Sequence, residues 1–225
     1  MKPIILAFAV MLFIITGCAD DSTDDISNIA WTQIFSDDFA RSDTNSGSTD
    51  SLGSNYRTFG TMQITSNEVI SNTSGRAEYQ TPLTKKKAKL TIKFSSDTFS
   101  LTAQHGILLQ DAVSSPGGCQ VAVGYLSDGT NYSLYVLDKD APTTPLASAS
   151  ATLSTDTQYT LEMIINQGAV TGTITNSSGE TLATTTASTT ASSSKYVDCL
   201  IQEPAFSMDL TGTVTFDDFT ISTAD

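Results

Sequence analysis

Histidine is almost missing from this 225-residue chain: His105 is the only one, and only three cysteines accompany it. That leaves too few imidazole and thiolate ligands for a multi-histidine metal centre, and no second histidine to spare for a Ser-His-Asp relay. Basic residues are scarce as well. Eleven lysines and arginines stand against 24 acids, a formal charge of −13. This excludes nucleic-acid binding through a general electrostatic field, which needs clustered cations to displace counterions. No Cys-x-x-Cys pair and no phosphate-cradling glycine loop occurs. No apolar run reaches the ~20 residues of a membrane-spanning helix, and no segment keeps a helical period over three turns.

The longest apolar run, residues 4–15, follows Lys2 and has the charged-then-apolar layout of an export signal. It closes on Ile15-Thr16-Gly17-Cys18, which resembles the bacterial lipobox. The resemblance implies a signal peptide over 1–17 and a lipidated Cys18 as first mature residue. The alternative is an ordinary signal with a chance cysteine. Each buried acyl methylene contributes about 0.8 kcal/mol, so two or three chains hold a protein on a bilayer. Ala19 stands where the family's inner-membrane retention signal has Asp, which implies outer-membrane delivery in a Gram-negative host. Residues 18–30 read as the lipidated cysteine and a flexible acidic tether, and 31–225 as one domain. Cys119 and Cys199 are either bridged, as an oxidising compartment allows, or free thiols on neighbouring strands.

From Trp31 onward, short runs of β-branched and aromatic residues alternate with period two between Gly, Asn, Asp and Ser clusters. Ala88, Leu90, Ile92 and Phe94 share one strand face, while Lys85, Lys87, Lys89 and Lys93 share the other. Asp128-Gly129 predicts a hairpin between 118–126 and 131–137, and Asn176-Ser177-Ser178-Gly179 predicts another turn. Ten to thirteen such strands predict an all-β, two-sheet antiparallel sandwich.

Phe35-Ser36-Asp37-Asp38-Phe39-Ala40-Arg41 and Leu52-Gly53-Ser54-Asn55-Tyr56 resemble the opening of bacterial concanavalin A-like (laminin G-like) jelly-roll domains. Gly106-Ile107-Leu108-Leu109, Tyr159-Thr160-Leu161-Glu162-Met163 and Val214-Thr215-Phe216-Asp217-Asp218-Phe219 resemble that family's later strands. Tyr56 replaces the usual Trp. The resemblance implies a jelly roll with its first and last strands side by side. It also implies a choice among lectins, carbohydrate-binding modules, glycoside hydrolases, polysaccharide lyases and adhesive modules, which fold alone does not make.

The hydrolase branch lacks its chemistry. The Glu-x-Asp-x-x-Glu signature of jelly-roll glucanases is missing, and Glu162 and Glu203 each stand alone on their strands, whereas a retaining site needs paired carboxylates. His105 as a lyase base competes with a plain hydrogen-bonded residue at a strand start. Asp37 and Asp217 share strand parity with phenylalanines, so the pairs Asp37-Asp38 and Asp217-Asp218 call for compensation. A structural Ca2+ supplies it, or else a bulge that turns the acids outward, or Arg41 as partner. The lysine stripe either follows a polyanion or guards an edge strand against aggregation. Tyr56, Tyr125, Tyr132 and Tyr135 are candidates to stack on sugar rings, or are packing residues. The ranked expectation is an envelope protein binding carbohydrate or a glycoprotein, then a structural protein without glycan ligand, then an enzyme.

Overall fold

Strict alternation over Lys87–Ser96 yields a strand with every second side chain buried, and this pattern builds most of the computed structural model. Residues 26–44, 51–99, 106–111, 121–127, 132–138, 145–166, 169–188, 201–209 and 212–225 are described. They contain β1 (Thr32–Asp37), β2 (Tyr56–Gly60), β3 (Gln63–Thr65), β4 (Glu68–Ser71), β5 (Ser74–Tyr79), β6 (Lys87–Ser96), β7 (Gly106–Asp111) and β8 (Val121–Ser127). β9 (Tyr132–Asp138), β10 (Pro145–Ser150), β11 (Tyr159–Asn166), β12 (Ala169–Asn176), β13 (Thr181–Ser188), β14 (Pro204–Asp209) and β15 (Val214–Ala224) follow. The fifteen strands among the described residues exceed the ten to thirteen expected. β3 and β4 are too short to show a period, and the Ser66-Asn67 turn joining them, with φ of 55° and 68°, lacks the glycine that usually marks such a hairpin.

The strands form two antiparallel sheets. One runs β13-β12-β11-β6-β15-β4-β3 with β1 added on β15; the other runs β10-β9-β8-β7-β14-β5-β2. The fold is therefore the two-sheet sandwich that the alternation predicts. Its core is filled by Leu90, Ile92 and Phe94 from β6, Leu161 and Met163 from β11, and Leu109, Val123, Val136 and Phe206 from the second sheet, each at most 1% exposed. Burying one such side chain contributes roughly 1.5–3 kcal/mol. The sheets approach so closely that a Cβ on Gly172 would lie 2.5 Å from Val123 Cγ1.

At one end the core is aromatic. Tyr56 lies 6.0 Å from Phe39 and 6.2 Å from Phe206, and Phe206 lies 5.0 Å from Phe219, ring centre to ring centre. These rings lock the terminal strands together, for β1 pairs with β15 and sets Asp37 opposite Phe219. β15 keeps β6 on one side throughout, while its other side pairs first with β4 through Val214–Phe216 and then with β1 from Phe219 onward. Asp217 and Asp218 fall at that change of partner. The register with β6 slips there, and Asp218 takes a φ of 48°. The outward-turning bulge is thus real, and its cause is the handover from one neighbour to the next.

Candidate functional site

Two cations pair with two of the four terminal acids, Asp37 and Asp218. Arg41 donates Nη1 to Asp37 Oδ1 at 2.9 Å and Nη2 to Asp37 Oδ2 at 2.6 Å, and Nη2 also reaches the Leu52 carbonyl at 2.9 Å. Lys93 Nζ pairs with Asp218. Asp38 accepts the backbone N–H of Ala40 and Asp217 that of Asp218. Among the described residues no group of three or more His, Cys, Asp or Glu side chains is placed to hold a metal ion. The expected calcium site at Asp37, Asp38, Asp217 and Asp218 is therefore not assembled as such a group among the described residues. Burial first, then the neighbouring Asp218 charge, raises the Asp217 carboxyl above its ordinary range.

Three of the four candidate tyrosines are buried. Tyr56 is fully buried, Tyr125 and Tyr135 are each 2% exposed, and none presents a ring face to a sugar. Tyr125 OH donates to the Ala151 carbonyl and accepts from Leu153 N, tying a loop to the sheet. Burial and the Asp37 carboxylate push the Tyr56 phenol far above its usual range, so it stays neutral. The Tyr132 side chain lies outside the described residues, as do Cys18, Cys119, Cys199 and His105.

The lysine stripe does not guard an edge, because β6 lies in mid-sheet between β11 and β15. Its cations have local partners: Lys85 pairs with Asp225 at 3.0 Å, Lys93 with Asp218, and Lys89 lies 5.5 Å over the Trp31 ring. Glu162, on the same outer face, has its carboxyl raised by burial and only partly offset by Lys89. Glu203 belongs elsewhere, 3.4 Å from Arg57.

The site that the structure does offer is on the outer face of the seven-stranded sheet. Cross-strand register sets Phe59, Arg76, Ser207, Leu108, Gly124 and Tyr135 in one row on that face. The row changes character along its length. Leu108 and Tyr135 join Ala122 and Leu137 in a second, closed apolar cluster. At the other end Phe59 is 41% exposed. Here a shallow, open cleft of about 400 Å³ is lined by Phe59, Ser74, Arg76, Gln110 and Ser207, with backbone of Gly60 and Gly75. Gly60 ends β2 with a φ of 78°, and a Cβ there would sit 2.1 Å from the Ser74 carbonyl oxygen.

Beneath the cleft rim lies Glu78, whose side chain is only 3% exposed. It accepts from Arg57 Nε at 2.7 Å and forms an ion pair with Arg76 Nη2 at 2.7 Å. Removing either guanidinium would leave a buried carboxylate short of its counter-charge, so this triad fixes both arginines. The guanidinium carbons of Arg76 and Arg57 lie 4.8 and 5.6 Å from the Phe59 ring centre. Gln110 Nε2 donates to Ser207 Oγ at 3.0 Å, which leaves the Ser207 O–H proton to point elsewhere. The result is a rigid aromatic ring beside hydrogen-bond donors. Sequence reasoning missed Arg57, Phe59, Arg76, Glu78, Gln110 and Ser207. A usable signal existed in Tyr56-Arg57-Thr58-Phe59, where alternation turns Arg57 and Phe59 to the face opposite Tyr56 and Thr58.

No family model matches the chain, and no curated protein matches it by sequence. Solved structures do. The acidic lectin of winged bean, complexed with methyl-α-D-galactose, superposes with a TM-score of 0.62 at 10% identity, covering 87% of this chain and 99% of the lectin. The basic winged bean lectin with Tn-antigen gives 0.60 at 13% identity, covering 87% and 99%. The exoplasmic/lumenal domain of VIP36 in its Ca2+/Man3GlcNAc-bound form gives 0.55 at 14% identity, covering 74% and 83%. The fold is therefore the lectin-type, concanavalin A-like jelly roll.

Proposed function

We propose that this chain is an exported envelope protein, anchored through a lipid on Cys18, whose lectin-type sandwich binds carbohydrate in the cleft beside Phe59. The observation that carries the reading is Phe59 itself: an exposed ring, held against two guanidiniums and set next to the Ser207 and Gln110 pair. A sugar ring has an apolar C–H face and an equatorial rim of hydroxyls, and an aromatic surface bordered by fixed polar groups complements both. The likeness to lectins solved with galactose, Tn-antigen and a mannose-containing glycan supports a saccharide as the ligand. Lys2, the apolar run and the lipobox-like Ile15-Thr16-Gly17-Cys18 support the anchor, and Ala19 supports outer-membrane delivery in a Gram-negative host. Specific retention of the detergent-solubilised full chain on a glycan array is the expected result; a blank array at high protein concentration would refute the reading.

A further inference from the structure

Resting on that reading, we infer that the cleft prefers an anionic saccharide, one carrying a carboxylate or sulfate on the sugar next to the ring that stacks on Phe59. The charge arrangement gives the reason. The chain has three arginines, and two of them, Arg57 and Arg76, flank this one aromatic ring. Their shared acid is hidden: Glu78 is 3% exposed at its side chain, whereas Arg57 and Arg76 are 50% and 40% exposed. Cationic heads therefore stand at the surface while the compensating charge sits beneath them.

Two guanidiniums share that one buried carboxylate. Glu203 adds only a long 3.4 Å contact, and to Arg57 rather than to Arg76. Arg76 faces Glu78 through Nη2, its Nε is buried, and 40% of the side chain stays exposed, so the cleft meets the outer end of the guanidinium. No acidic side chain among the described residues lines the cleft, and its other polar groups include the hydroxyls of Ser74 and Ser207. A guanidinium fork exposed at its outer end recognises planar or tetrahedral oxyanions in preference to neutral hydroxyls. The formal charge of −13 opposes any anion at long range. That field is screened beyond about 8 Å at physiological salt, so the local arginines decide the contact.

The test uses the full chain in detergent and two matched pairs of oligosaccharides: oligogalacturonate with its carboxyl-reduced form, and a sulfated galactan oligosaccharide with its desulfated form. Each pair shares length and linkage and differs in charge alone. At least one anionic member should bind about tenfold or more tightly than its neutral partner, and which pair discriminates identifies carboxylate or sulfate. Arg76→Gln should bring that ratio to within about twofold. Arg76→Lys, which keeps a counter-charge for Glu78, should leave an intermediate ratio and guards against loss of fold. Lys89→Gln, on the opposite sheet, should leave the ratio unaltered. Equal binding of both members of each pair overturns the anionic preference while carbohydrate binding stands. A ratio that collapses in Lys89→Gln overturns it too, by moving the anion to the lysine stripe. Failure to bind these sugars or any glycan on the array removes the carbohydrate reading and the inference with it.

Discussion

Arg41 clasps Asp37 with two parallel hydrogen bonds of 2.9 and 2.6 Å, four residues along the chain, at the end of the first strand. The clasp joins three segments, since Asp37 also accepts Phe39 N–H and Arg41 also holds the Leu52 carbonyl. Arg41→Ala strands a carboxylate that is 6% exposed. Breaking a buried pair costs about 3–5 kcal/mol, and the partial exposure of Arg41 reduces this to about 2–3 kcal/mol. Urea denaturation should show that loss, and the double variant with Asp37→Asn should lose less than the sum of the two single variants. Strict additivity would mean that the clasp stabilises nothing.

Asp217 gives a prediction with an unambiguous sign. Burial and Asp218 raise its folded carboxyl above the ordinary value, so the folded state holds the proton more tightly than the unfolded chain does. Stability then falls as pH climbs through the window from the ordinary value to the raised one, and stays lower above it. Asp217→Asn removes this penalty and still accepts the Asp218 N–H. The variant should be more stable than the parent at pH 7 and lose that advantage at pH 3. A variant less stable than the parent at pH 7, only with calcium present, would restore the carboxylate as a metal ligand.

Gly172 marks where the sheets meet. An added methyl would stand 2.5 Å from Val123 Cγ1 and 3.4 Å from Leu134 Cδ1. Gly172→Ala should therefore cost about 1–3 kcal/mol through overpacking, and Val123→Ala in the same chain should recover part of it. A neutral Gly172→Ala variant would show that the sandwich is looser than the side-chain distances indicate.

Much of the fold is legible in the sequence because a half-buried strand must alternate. Lys87–Ser96 and Tyr159–Asn166 show their buried faces without any structure, and Asn176 to Gly179 marks its turn, where Asn176 Oδ1 accepts the N–H of Ser178 and Glu180. The site is less legible. Alternation states that Arg57 and Phe59 share a face, but not that β5 and β14 bring Arg76 and Ser207 beside them, since that pairing joins residues 57–59 to residue 207 across the chain. The two readings of the tyrosines stay open in the sequence for a related reason. Aromatic residues near a turn look available for stacking, and only the second sheet shows that Tyr125 faces the core. For the acidic pairs, parity shows that Asp37 points inward and needs a partner but does not choose among calcium, a bulge and Arg41; Arg41 lies beyond the strand end where parity no longer applies, and the structure shows its pair with Asp37.

The anchor is tested independently of the domain. Cys18→Ser should leave unprocessed precursor, or protein that no longer enters the detergent phase on temperature-induced separation. Unchanged partitioning of the variant would contradict lipid attachment at Cys18.

The most direct measurement for the account as a whole is the affinity of Phe59→Ala, compared with the parent chain, for whichever glycan the parent retains on the array. Phe59 is 41% exposed, so the variant should keep its melting temperature to within about 2 °C, a change of about 0.5 kcal/mol. Binding should fall by tenfold or more, the loss of about 1.4 kcal/mol or more of contact. Undiminished binding by a folded Phe59→Ala protein would contradict the claim that this cleft is where the chain meets its ligand.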